Sequence, residues 1–415
     1  MEFDYLDQNI EKCSNSIMCH FFIFLMEDIT QIYSKEILDE AELVSNLQDN
    51  LKDLDKDGID DFLNYFLKSK FSSEDRFHQF FQNLHVCLRE RPLSIFIYAD
   101  TIYRIFCELK EPLNQKFKDE FTFAVHYRIS EIDVAFDEPQ LVFIINLLLE
   151  RSFYTKEEIV EICKKLIKTK SLIVTQISVM FFFAPEMIEL QQKLFDRFMK
   201  ECNNLNLSSW FIFDRYSMAK KLYYDTNDWG KWREIRKTLH FGNPLFKSLI
   251  EDDVELLKLL SSHPNFSPND TIKIPFMAPF DYLHQDPPIL GVSAFFGSVK
   301  CFRHLSMLGA DFEASDIIHH TPAQFATAGG NLEIIRFIEQ HQCDFSGCLQ
   351  VAAGFSRYDF FEYLHETKYP DISVLDEWRA NVIGHATIEN NPKILLRCIE
   401  EGVDVNIIDS SNVFF

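Results

Sequence analysis

Apolar residues recur at three- and four-residue steps along most of the chain, the spacing that lines one face of a helix. Near the start these are Ile17, Phe21, Phe24 and Leu25, then Ile37 and Leu38, then Leu43, Val44 and Leu47. From residue 72 onward, helix-start signals come one after another. Ser73 is followed by Glu74 and Asp75, and Pro92, Pro112, Pro139 and Pro185 each stand where a first turn tolerates proline. Thr155 and Glu158 have the spacing of a capping box, in which each side chain satisfies the other's end of the helix. Starts near 73, 92, 112, 139, 155, 171, 185, 208 and 228 are 14 to 27 residues apart. Helices of that length with short turns form antiparallel hairpins, and stacked hairpins form an α-solenoid. The predicted fold class is therefore all-α. Three segments are expected: 1–71, helical with an acidic loop; 72–242, an array of helical hairpins; and 243–415, shorter helices in pairs.

The third segment has a register. Its inner helices each carry a small residue: Ser248, Ser293, Ala326, Ala352 and Ala386, at steps of 45, 33, 26 and 34 residues. Outer helices follow at 254–260, 299–305, 332–338, 358–364 and 392–399. The stretch 309–331, GADFEASDIIHHTPAQFATAGGN, is the most regular part. Gly309 closes a helix where positive φ is needed. Thr321 and Pro322 open the next one, the hydroxyl capping bare amides and the proline seated in the first turn. Ala326 is small enough for neighbouring inner helices to approach.

These residues resemble the ankyrin repeat, whose period is about 33 residues. Gly309, Ala310, Asp311, Ala314, Asp316, Thr321, Pro322, Ala326, Gly330 and Asn331 match its consensus, and His319 replaces the usual hairpin glycine. The chain is similar to ankyrin families of trichomonad-type protists, which join an N-terminal helical region of unknown function to degenerate repeats. That resemblance implies about five repeats over 243–415 and a role in binding other proteins. The short step reflects a lost hairpin, since residues 343–347 run straight into the next helix. The long step reflects an insertion at 261–288 that holds six of the fourteen prolines. Its Phe276, Met277, Phe280 and Tyr282 need cover, either from the chain's own groove or from a partner. Residues 412–415 fall inside a hairpin that would precede another repeat, so this end is frayed, folded back, or covered by another chain.

Charge narrows the class of partner. With 64 acidic and 41 basic residues the net charge is −23, which disfavours nucleic acid and anionic membranes. Ten cysteines without a C-x-x-C pair read as reduced thiols in a reducing compartment. The start MEFDYLDQNIEK has no basic n-region, and the apolar runs 141–149 and 173–184 are too short or interrupted to span a bilayer. A cytoplasmic location without membrane insertion is expected.

Candidate chemistry is sparse. Residues 53–61 read D-x-D-x-D-G-x-x-D, oxygens at alternate positions with a glycine for the turn, a spacing that can wrap calcium. Asn64 stands where an EF-hand needs a bidentate glutamate, and Ile59 is one position early. An acidic loop with Asp60 or Asp61 capping the following helix is the simpler reading. Trp229, Trp232, Arg233, Arg236 and Lys237 form a basic aromatic stretch, read as a solvated helix face with its tryptophans turned inward. No phosphate loop, dinucleotide fingerprint, H-E-x-x-H or nucleophile elbow occurs, so neither an enzyme nor a cofactor or metal site is expected. The expected function is a non-enzymatic adaptor or scaffold for protein partners. Its contact residues are Ser315, Asp316, Ile317, Ile318 and His319, on a concave surface of hairpin turns and inner helices. Phe295, Phe296 and Phe355 are secondary candidates, with core packing the favoured reading. The alternatives are a structural component of a cytoskeletal or multiprotein assembly, and a calcium-responsive regulator acting through the acidic loop.

Overall fold

A computed structural model describes residues 35–131, 138–167, 174–204, 229–275, 277–375 and 381–403. Ile17, Phe21, Phe24 and Leu25, the starts near 171 and 208, Phe276 and residues 412–415 lie outside these. The described residues form an all-α fold, with twenty α-helices and no strand beyond one isolated bridge, Thr271 to Pro288. In chain order the helices are α1 (Lys35–Lys52), α2 (Ile59–Lys68), α3 (Phe77–Glu90), α4 (Ile95–Glu108), α5 (Leu113–Glu131), α6 (Pro139–Glu150) and α7 (Lys156–Ile167). Then come α8 (Val174–Phe182), α9 (Ala184–Asn204), α10 (Trp229–Ile235), α11 (Pro244–Ile250), α12 (Val254–Ser261), α13 (Ile289–Phe295) and α14 (Val299–Met307). The last six are α15 (Pro322–Gly329), α16 (Leu332–Gln340), α17 (Cys348–Gly354), α18 (Tyr358–Thr367), α19 (Val382–Ile388) and α20 (Pro392–Glu400). The chain forms two compact units: Leu54–Pro322, and Ala323–Phe415 together with the residues up to Asp53.

In the unit Leu54–Pro322 the predicted start signals behave locally as their chemistry requires. Pro139 is at the first turn of α6, and Pro92 opens a 3-10 turn before α4. Glu158 N–H donates to Thr155 Oγ1 at 3.2 Å while Thr155 N–H donates to Glu158 Oε2 at 2.8 Å, closing the capping box of α7. Helix α3 lies on α5, α4 on α6, and α7 on α9. Phenylalanine supplies much of the core: Phe66, Phe77, Phe80 and Phe117 are fully buried, and Phe66 meets Phe80 edge-on at 4.9 Å. Edge-to-face contact places the positive ring edge on the negative face of its neighbour, adding to what burial alone provides. Helix α6 is buried on every side from Pro139 to Leu148, which its nearly unbroken apolar sequence permits.

The proline-rich stretch after α12 folds into this same unit. Ile272, Ile274, Met277, Phe280 and Leu283 are buried. Phe280 packs on Phe246 at 5.6 Å and on Phe296 at 5.0 Å, and Asp281 pairs with Arg89 of α3 at 3.3 Å. Cover for these residues therefore comes from the chain itself. Prolines exclude α-helix here, as expected; Asp281–Leu283 forms a single 3-10 turn.

From α11 onward one turn recurs. Each small inner-helix residue, Ser248, Ser293, Ala326, Ala352 and Ala386, is fully buried. Four residues later the backbone turns left-handed, at Asp252 (φ 51°), Gly297 (67°), Gly330 (76°), Ser356 (49°) and Asn390 (48°). The next amide folds back on the small residue's carbonyl, from Asp253 to Ser248 at 2.9 Å, Ser298 to Ser293 at 2.9 Å, Arg357 to Ala352 at 2.8 Å and Asn391 to Ala386 at 2.7 Å. This satisfies a carbonyl that the helix end would leave bare. That same next residue also reaches the preceding pair. Ser298 Oγ donates to Leu249 O, Arg357 Nε to Ala328 O at 2.8 Å, and Asn391 Nδ2 to Ala353 O at 3.4 Å. In the second unit α17 packs on α18 and α19, α19 on α20, and α1 on α20.

Candidate interaction surface

The turn between α14 and α15 is built around Asp316. Its side chain is fully buried; Oδ1 accepts from Ile318 N–H at 3.0 Å and His320 N–H at 2.8 Å, and Oδ2 pairs with His320 Nδ1 at 3.1 Å. Two backbone bonds close the loop, Asp316 N–H to His320 O at 3.2 Å and His319 N–H to Asp316 O at 3.1 Å. Between them His319 takes φ 71°, the left-handed conformation that glycine usually supplies. The turn is anchored on both flanks. Ile317 N–H donates to Gln285 O at 3.1 Å, and the His320 ring lies 4.5 Å from Tyr282, which stacks on Phe295 at 6.1 Å.

Side chains alternate across this scaffold. Ser315, Ile317 and His319 are exposed, Ile318 is half-buried, and Asp316 faces inward. Ile317 is 59% exposed, an apolar side chain presented outward on a constrained backbone. The two histidines part company as adjacent residues should: His319 faces outward while His320 is half-buried against Tyr282. The secondary candidates lie deeper. Phe295 is buried and Phe296 half-buried among Phe246, Phe280 and Phe295; Phe355 is half-buried.

Elsewhere, side chains singled out for their chemistry make structural contacts. In the acidic loop, Asp55 Oδ1 accepts the amides of Asp57 at 3.0 Å and Gly58 at 2.7 Å. Asp60 forms an ion pair with Arg104, and Asp60 and Asp61 lie in the first turn of α2, where Gly58 is the cap residue. Among the described residues, no three His, Cys, Asp or Glu side chains are grouped so as to hold a metal ion. In the basic aromatic stretch Trp232 is buried, its Nε1–H donating to Phe182 O at 3.2 Å, and Trp229 is half-buried. Arg236 is not on a solvated face: it is buried, forked onto Glu186 at 2.7 and 2.9 Å and onto Phe182 O at 2.7 Å.

Sequence reading missed this pair, and also a second buried one. His85 Nε2 lies 2.7 Å from Glu138 Oε2, which also accepts from Gln140 Nε2 at 2.6 Å. Burial pushes the His85 ring toward its neutral form. Burial alone would raise the Glu138 carboxyl, but His85, Arg128 and Arg89 together hold it down at about 2. A neutral imidazole donating to a carboxylate is the resulting state. Also missed were Gln324 and Gln350, two residues before Ala326 and Ala352. Their amides donate to Ser346 O at 3.1 Å and Val374 O at 2.7 Å. The small-residue register could have pointed to them, since both occupy the same place in it.

Among the described residues no helix is long and apolar enough to cross a membrane. No family model matches the chain, and no curated protein matches it.

Proposed function

We propose that this protein is a non-enzymatic adaptor of the ankyrin-repeat kind, and that it holds a protein partner through the exposed side of the turn at 311–321. The observation that carries the reading is the contrast within that turn. Its backbone is fixed by the buried Asp316, while Ser315, Ile317 and His319 present side chains outward. A surface ordered before binding loses little conformational entropy on contact, so a modest apolar anchor such as Ile317 can contribute usefully. Support for the repeat reading comes from the left-handed residues at 252, 297, 330, 356 and 390, which keep the steps of 45, 33, 26 and 34 residues.

The test is capture of a partner identified by crosslinking to the intact chain. Ile317→Asp should weaken capture at least tenfold, as for a central contact worth ~1.4 kcal/mol or more. Helical content by circular dichroism should stay unchanged, because the Ile317 side chain is mostly exposed and the turn is closed by Asp316. Undiminished capture by this variant, and by Ser315→Arg with His319→Glu, would place the contact elsewhere.

A further inference from the structure

Helix α5 carries aromatic and aliphatic residues on two sides. Phe117, Phe121, Val125 and Ile129, at four-residue steps, are buried in the core. Phe123 and Tyr127 lie off that row and are 58% and 48% exposed. Their rings stack, with centroids 6.3 Å apart and planes 28° apart. Asp119 stands one turn before Phe123, exposed, and accepts from the Gln115 amide at 2.8 Å. Glu120, three residues before Phe123, meets His78 at 2.9 Å rather than a lysine or arginine. Helical side chains lean toward the N-terminus, so the Phe123 ring leans over the turn that carries both carboxylates. The neighbouring cations are engaged elsewhere: Lys116 with Glu74, Lys118 with Glu158 and Arg128 with Glu138.

The same parts are complete at two sheltered places in this unit. Lys118 Nζ lies 5.6 Å from the Phe153 ring centre and 5.4 Å from that of Tyr154, and pairs with Glu158 at 2.7 Å. The Arg236 guanidinium lies 5.7 Å from Phe182 and 5.6 Å from Phe183, and pairs with Glu186 at 2.7 Å. In each, two rings and a carboxylate hold one cation. On the outer side of α5 two rings and two carboxylates are present, and among the described residues no lysine or arginine lies over either ring.

We propose that this side of α5 is a second docking surface, and that its occupant is an arginine-bearing segment of a partner protein. A guanidinium fits better than an ammonium. It is flat, so it stacks on an exposed ring while its N–H groups reach a carboxylate one turn away, and it is more weakly hydrated. The net charge of −23 draws a basic segment toward the chain and holds off an acidic one. The surface uses none of the residues of the turn at 311–321 and does not depend on the function proposed there.

The experiment titrates the full chain into a labelled peptide of alternating arginine and serine at low salt, read by fluorescence anisotropy. Peptides with lysine or glutamate in place of arginine are run beside it. The arginine peptide should bind most tightly, with a Kd below about 1 mM, the lysine peptide more weakly and the glutamate peptide not at all. Phe123→Gln with Tyr127→Gln should weaken the arginine peptide about tenfold, and Asp119→Asn about threefold. Glu36→Gln, a carboxylate on α1, should leave affinity unchanged, and circular dichroism should show the parent helical content throughout. If the double variant fails to fold, Phe123→Lys replaces it, since a cation beside Tyr127 should repel the peptide to the same extent. Absence of binding by the arginine peptide, or binding that is equal for lysine and survives loss of both rings, overturns the proposal. A sedimentation mass that rises with concentration in the parent and stays flat in the ring variant would assign the surface to a second copy of this chain, and overturns it as well.

Discussion

The helices between residues 59 and 241 and the helix pairs from 244 onward are both all-α, but they are held together differently. The first region shows no sequence repeat, and its cohesion comes from long-range, one-off contacts: the Phe66, Phe80 and Phe117 cluster, the Arg236–Glu186 pair and the His85–Glu138 pair. In the second, the same small set of local and neighbour contacts recurs, a left-handed residue, an amide folded back and a donor to the preceding pair. Irregular cohesion concentrates stability in a few sites that are costly to lose. Repetitive cohesion spreads it over many sites that matter modestly and much alike.

That contrast can be broken most sharply at Arg236. Arg236→Ala removes the forked partner of the buried Glu186 and leaves it facing Arg233 at 3.6 Å, and a loss of about 3 kcal/mol is expected in urea unfolding followed by tryptophan fluorescence. Replacing both with apolar residues, Arg236→Met with Glu186→Leu, should recover most of it. In the repetitive region a smaller single effect should fall on Gly330. At φ 76° an added Cβ would lie 2.9 Å from Arg357 Nε, so Gly330→Ala combines backbone strain with displacement of a bridging side chain. A cost of about 2 kcal/mol is expected, visible as faster amide exchange confined to residues near 322–367. The smallest effect separates the regions by pH. His85 has its titration lowered from the ordinary 6.5, and Glu138 from 4.5 to about 2. Both bind protons more readily unfolded than folded, so their contribution is intact above pH 6.5. It is lost as pH falls, first through the histidine and then through the glutamate window. Protection in α3 and α6 should decline on acidification, and His85→Gln should remove the earlier part of that decline.

Much of the helical pattern was legible because its causes are local. Pro139, Thr155 and Glu158 act within one helical turn, and so does the cap of Asn331, whose side chain accepts from Glu333 and Ile334 amides. The five small residues were legible as a register, and His319 as the substitute for a glycine. The candidate turn was only half legible. Asp316 stands between Ser315 and Ile317 like a third contact residue, yet it is the buried strut of the turn. An aspartate in a turn can face solvent or fold onto its own amides, and only the loop's closure decides which. Arg236 went the other way, from an expected solvated face into the core. Its partner Glu186 is fifty residues earlier, and nothing local signals that a cation will be enclosed.

Helix type, many of the helix starts and the recurrence of paired helices after residue 243 follow from the order of the residues alone. Period, capping chemistry and glycine conformation all act within a few residues. Folding alone settles that Ile272, Met277 and Phe280 of the proline-rich stretch are covered by their own chain, that Arg236 is buried, and that α1 covers α20. Each of those depends on which surfaces meet across long separations in sequence, where burial and charge pairing outweigh any preference the residues have on their own.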